Sequence, residues 1–138
     1  MATFEKAQQI VGKSEGGYQN NPSDTGNYYN GNLVGTNWGI SAPTLAGYLG
    51  RTPSVMEMKN LSKSTAEKIL KRNYWNKNNF DKLINQSVAT LIYDGAVNHG
   101  TNSMRLLMEK ALRYLGVEIS YYEVFFCTDS LKLIKNSY

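Results

Sequence analysis

Glu15 and Asp24 are two carboxylates in a stretch of glycines, turn formers and aromatics that closes on Thr36-Asn37-Trp38-Gly39-Ile40. Paired carboxyl groups in unlike environments suit glycosidic bond cleavage. One gives a proton to the leaving oxygen while the other supplies negative charge near the developing oxocarbenium ion. Glu15 fits the donor: it follows an amphipathic segment and precedes Gly16-Gly17 and Tyr18. There the negative end of a helix dipole and desolvation by an apolar ring favour the protonated acid. Asp24 lies in a turn beside Thr25 and Gly26, where exposure and hydrogen bonds suit a carboxylate that stays charged.

The elements that must carry these groups follow from periodicity. Phe4, Ala7, Ile10 and Val11 have the spacing of a helical face, with Thr3 as a cap and Gly16-Gly17 as the stop. No helical period runs from Tyr18 to Trp38; Asn21-Pro22, Ser23 to Gly26 and Asn30-Gly31 are turn signals. Asn30-Gly31 between Tyr28-Tyr29 and Leu33-Val34 predicts a hairpin with a type I′ turn. Ser41 with Pro43 opens a short helix that Gly50 ends, and Thr52-Pro53 opens a further helical turn through Met58. Ser64 to Glu67 has the form of a capping box ahead of Ala66, Ile69, Leu70 and Tyr74. Ser87 to Val97 is apolar on nearly every side and predicts a central helix buried all round. Asn102 caps a last helix, with Met104, Leu107, Met108, Ala111, Leu112 and Leu115 on one face. The expected fold is mainly α (α+β), a helical domain with a small irregular β-hairpin region near the N-terminus. Its expected division is residues 1–86, carrying the chemistry, and 87–138, contributing core helices, packed as one compact unit.

The totals narrow the choice of partner. At 138 residues, 41% apolar and 19% charged, the chain has material for one folded domain. A net charge of +4 favours encounter with anionic polymers, but the basic residues are scattered, with only Lys68, Lys71 and Arg72 close together. A nucleic-acid reader needs a denser basic stripe. A single cysteine, Cys127, excludes an internal disulfide, and with one histidine the chain lacks the ligands of a Cys- or His-rich metal site. No cofactor or metal is expected. No secretory signal or membrane-spanning run is visible, so the expectation is synthesis in the cytoplasm and delivery by a holin-type or dedicated export route.

Glu15-Gly16-Gly17-Tyr18, Asn21-Pro22, Asp24, Gly26 and Thr36-Asn37-Trp38-Gly39-Ile40-Ser41 together resemble the signature of glycoside hydrolase family 108. Its members are N-acetylmuramidases of the lysozyme-like superfamily, found in phage and bacteria. Asp94-Gly95-Ala96-Val97-Asn98-His99-Gly100 resembles the start of the peptidoglycan-binding region that follows in that family. The resemblance covers Phe4 to Gly116 and implies that Glu15 is the general acid. The order of glutamate, aspartate, then threonine before Gly-Ile is also similar to that of phage-type lysozymes. By that analogy Asp24 and Thr36 are expected to hold the attacking water or stabilise the cation; Tyr18, Asn37, Trp38, Asn98 and His99 are the expected glycan contacts. The implied partner is the peptidoglycan glycan strand, cleaved by a monomer without membrane insertion.

Two departures accompany the resemblance. Tyr28 to Val34 reads as an insertion between the aspartate and the threonine, long enough to displace Thr36. After Gly116 the chain lacks the Asp-Gly and Gly-Pro-Thr-like segments typical of the family, which gives a shortened binding region. The second departure supports an alternative reading: a non-catalytic or weakly active protein that binds peptidoglycan or assists secretion.

Overall fold

In the computed structural model, residues 1–12, 16–118 and 124 are described. The chain falls into two units, Gly12–Leu70 and Met1–Val11 with Lys71–Tyr138. The fold is mostly helical with one two-stranded antiparallel sheet, the expected lysozyme-like α+β class.

In the first unit, Asp24 caps a 3-10 turn over Thr25–Asn27, which runs into β1 (Tyr28–Tyr29) and β2 (Asn32–Leu33). Tyr28 pairs with Leu33 and Tyr29 with Asn32, leaving Asn30 (φ 48°) and Gly31 (φ 77°) as the centre of the expected type I′ turn. Helix α2 (Ala42–Leu49) packs on β1 and the 3-10 turn. Ser41 caps its start, and Gly50 at φ 74° donates its N–H to the Ala46 carbonyl at its end. Helix α3 (Val55–Lys59) begins at Ser54, whose side chain exchanges hydrogen bonds with Glu57 in a capping box. Helix α4 (Lys63–Leu70) starts earlier than Ser64 to Glu67 implies: Ser62 Oγ accepts the Thr65 N–H at 3.1 Å. Ala66, Ile69 and Leu70 are buried as the periodicity requires.

In the second unit, α1 (Phe4–Val11) packs on α5 (Gln86–His99), and α5 on α6 (Thr101–Tyr114). The Gln86 side-chain amide holds both polar backbone groups of Thr3, accepting from its N–H at 2.7 Å and donating to its carbonyl at 3.1 Å. Phe4, Trp75, Phe80 and Tyr93 form an edge-to-face cluster with ring centroids 5.7–6.0 Å apart. Trp75 comes from a π-helical turn, Lys71–Asn76, and is buried there as part of the core. The buried Gln8 is satisfied by the Tyr93 hydroxyl at 2.6 Å.

Three expectations are corrected here. Helix α1 ends at Val11, ahead of Gly16-Gly17, and Ile10 points outward at 62% exposure. Helix α5 is buried along Ala89, Thr90, Ile92, Tyr93 and Ala96; Leu91 is 65% exposed, because the elements packed on α5 cover one side and not the whole circumference. On α6 only Met104 and Leu112 are buried, while Leu107 and Leu115 are exposed. At the α5–α6 contact Gly95 faces Met104, and a Cβ there would lie 2.4 Å from the Met104 Sδ.

Candidate functional site

Asp24, Thr36, Tyr18, Asn37 and Trp38 all belong to Gly12–Leu70. The loop leading to Asp24 folds as it does because its short polar side chains close on their own backbone. Asn21 Oδ1 accepts the Ser23 N–H at 3.0 Å and Asp24 Oδ1 the Gly26 N–H at 2.9 Å. The Tyr28 hydroxyl, donating to the Pro22 carbonyl at 2.9 Å, holds this loop to the start of the hairpin.

A chain of hydrogen bonds connects Asp24 to Thr36. Asp24 Oδ2 accepts from Gln19 Nε2 at 2.8 Å, and Gln19 Oε1 accepts from Asn27 Nδ2 at 2.7 Å. Asn27 Oδ1 then accepts from the Thr36 hydroxyl at 2.6 Å. The backbone follows the same path, because Gln19 and Thr36 form an antiparallel bridge with two N–H···O bonds of 2.9 Å. Asn27 is the hub. It is fully buried, donates Nδ2 also to the Asn21 carbonyl at 3.0 Å, and accepts the Val34 and Gly35 N–H groups on its own carbonyl at 2.8 and 3.0 Å. Those last two bonds close the base of the hairpin. The insertion leaves from Asn27 and returns to it, and Thr36 is bonded to the Asn27 side chain. Asp24 and Thr36 are both half-buried.

Tyr18 lies against the other side of the ribbon. Its hydroxyl donates to the Val34 carbonyl at 2.9 Å, and Lys59 Nζ sits 5.4 Å from its ring centroid. Gly35, at φ 100°, makes room for that ring, since a Cβ there would lie 2.5 Å from it. Asn37 is buried and donates to the Met58 and Lys59 carbonyls at 2.9 and 3.3 Å, satisfying the end of α3. Asn37 and Ile40 bridge across a second two-residue turn whose centre is Trp38 (φ 54°) and Gly39 (φ 74°). A tryptophan in the left-handed region costs roughly 1–2 kcal/mol and marks a position where the surroundings over-determine the backbone. Its Nε1 donates to the Leu61 carbonyl at 2.8 Å, and the ring stays half-exposed.

Asn98 and His99 belong to the other unit, at the C-terminal end of α5. Asn98 donates to Asp94 Oδ1 at 2.7 Å and to the Asp94 carbonyl at 3.0 Å; His99 is exposed. A surface depression of about 360 Å³ between Lys77 and Arg105 includes Gly100 and Thr101 but none of the residues singled out above. Glu15 lies outside the described residues, as do Cys127 and nearly all of the chain after Glu118. Among the described residues no three His, Cys, Asp or Glu side chains converge as a metal site would require, and no helix is long and apolar enough to cross a membrane.

Gln19 and Asn27 are the residues that sequence reasoning passed over. Both are neutral amides among many other asparagines and turn formers, and only their pairing in space distinguishes them.

Comparison with known proteins gives a family and a structural relative. The family model described as Glycosyl hydrolase 108 matches residues 8–100. The fold is similar to the structure of SagA from Brucella abortus, with a TM-score of 0.67 and 29% sequence identity, over 97% of this chain and 76% of that one. No curated protein matches.

Proposed function

This chain belongs to glycosyl hydrolase family 108, and from that membership we propose that it hydrolyses peptidoglycan as an N-acetylmuramidase. The bond is the β-1,4 link from N-acetylmuramic acid to N-acetylglucosamine. Glu15 gives its proton to the leaving oxygen as that bond breaks. A water held by Asp24 and Thr36 adds to the anomeric carbon, and Asp24 takes up the proton the water sheds. The observation that carries the proposal is the family match, which spans both the Glu15 motif and the segment from Asp94 to Gly100. The hydrogen-bond chain from Asp24 through Gln19 and Asn27 to Thr36 supports it, since it links a carboxylate and a hydroxyl from separate turns. Trp38, half-exposed on a strained turn, supplies a ring on which a sugar can stack, with Asn37 as its anchor and Tyr18 on the same ribbon. Asn98 and His99 are further contacts for the glycan.

Release of reducing ends from purified insoluble peptidoglycan, followed by mass spectrometry of the products, tests the reading. We expect new N-acetylmuramic acid reducing ends from the wild type. Replacing Glu15→Gln is expected to lower turnover by about 10²- to 10⁴-fold, the usual contribution of a general acid, with an unchanged melting curve. A folded Glu15→Gln protein with near-normal turnover overturns the assignment of Glu15. Wild-type protein that sediments with peptidoglycan yet releases no reducing ends would instead be a wall-binding or secretion-assisting protein.

A further inference from the structure

We propose that Gln19 and Asn27 are positioning residues that fix the polarity of the Thr36 hydroxyl, so that its oxygen meets the attacking water as an acceptor only. This rests on the muramidase reading above. The inference comes from counting donors and acceptors along the four side chains. Both carboxylate oxygens of Asp24 act as acceptors, one for the Gly26 N–H and one for Gln19. A carboxylate offers no hydrogen, so Gln19 must turn its NH₂ toward Asp24 and its oxygen away. The Asn21 N–H, 3.0 Å from Gln19 Oε1, fixes the same orientation independently. With Gln19 Oε1 as acceptor, Asn27 must present its NH₂ there, and the Asn21 carbonyl at 3.0 Å requires that group as well. Asn27 Oδ1 is left facing Thr36, and at 2.6 Å the only hydrogen available between those two oxygens is the hydroxyl's own.

The Thr36 hydroxyl has one hydrogen, and the relay commits it to Asn27. Its oxygen keeps lone-pair capacity, so a water bound there must donate. A water that donates to Thr36 and to Asp24 has both its hydrogens occupied and turns a lone pair outward, the orientation a nucleophile needs. If Thr36 were free to rotate and donate, it would compete for that lone pair. The relay thus makes a carboxylate govern a hydroxyl to which it has no direct bond, through two intervening amides. Asn27 is fully buried, which protects its link from exchange with solvent.

The experiment measures kcat and KM for reducing-end release from insoluble peptidoglycan across pH, with melting curves, for wild type, Gln19→Leu, Gln19→Glu, Thr36→Ser and Thr36→Val. Gln19 is exposed, so its variants are expected to fold. Gln19→Leu breaks the relay and is expected to lower kcat by about tenfold or more with little change in KM, as misorientation does. Gln19→Glu places a second carboxyl group against Asp24, and such a pair shares one proton. The shared proton rebuilds the donor toward Asp24 while the other oxygen still accepts from Asn27. Its activity should therefore fall at neutral pH and recover toward wild type on the acid side. A residue that merely held the loop would change activity by the same factor at every pH. Thr36→Ser keeps the relay and should stay within a few fold of wild type, while Thr36→Val should match or exceed the loss in Gln19→Leu. Wild-type kcat in both Gln19 variants at every pH overturns the relay and leaves the muramidase reading intact. A wild type that releases no reducing ends overturns both.

Discussion

Two stretches of the molecule are ordered by different physics. Around Phe4, Trp75, Phe80 and Tyr93, order comes from apolar area removed from water and from rings that meet edge to face. The stability of such a cluster depends mainly on the area and volume it buries, and it exposes no reactive group. Between Gln19 and Ile40 order comes from directed bonds, in which each amide can point only one way because of its neighbour. Very little apolar area is available there, since only Val34 and Ile40 are buried hydrophobics in that stretch. A stretch held by hydrogen bonds can keep a carboxylate and a hydroxyl half in solvent at fixed orientation, which an apolar cluster cannot. On the assignment proposed above, the first kind of region supplies stability and the second supplies the chemistry.

That contrast is broken most severely by Trp75→Ala. Removing a buried aromatic from the cluster is expected to cost about 3–5 kcal/mol. Chemical denaturation should show the loss, while the fraction that remains folded should release reducing ends at the wild-type rate. A selective fall in turnover with stability preserved would mean that the cluster serves the site directly. Gly35→Ala strikes the other region at its tightest approach. The added methyl group meets the Tyr18 ring at 2.5 Å on a backbone at φ 100°, and overpacking of this kind costs about 1–3 kcal/mol. Here we expect the smaller stability loss and the larger loss of activity per kcal/mol, because moving Tyr18 pulls on Val34, which is bonded to Asn27. Turnover and stability falling in the proportion seen for Trp75→Ala would erase the distinction between the regions.

What could be read in the sequence follows the same division. Helix faces repeat, so Ala66, Ile69 and Leu70 were legible as core, and Asn30-Gly31 specified its turn because few other residues tolerate two left-handed positions. Trp38-Gly39 forms the same kind of turn and was not legible, since tryptophan is a poor candidate for positive φ. Leu91 misled because an apolar helix announces that it can be buried, whereas how much of it is covered depends on which helices lie beside it. In the candidate site, Asp24 stood out by residue type and Thr36 through a resemblance to other lysozymes. Gln19 and Asn27 did not, because a neutral amide gains its role only from the atoms opposite it, and those come from other turns.

A smaller effect sharpens the comparison from outside both the cluster and the relay. Arg51 grips the Glu57 carboxylate, one of its two bonds measuring 2.9 Å, and the Ser54 N–H adds another at 2.7 Å. The side-chain bond from Arg51, followed by that backbone bond, lowers the Glu57 pKa from 4.5 to about 2. A folded-state pKa below the unfolded one means stability that is present above the unfolded value and lost as pH falls through the folded value. The window is therefore between pH 4.5 and about 2. The pair is open to solvent, where ion pairs are screened, so its contribution is small and should shrink further in salt. Glu57→Gln is accordingly expected to lower the melting temperature slightly at neutral pH and to flatten the acid limb in that window, with no change in turnover. The directed bonds that matter for chemistry would then be those of the relay and not directed bonds in general. A fall in turnover in Glu57→Gln comparable to that in Gln19→Leu would spread the chemistry over the whole of Gly12–Leu70.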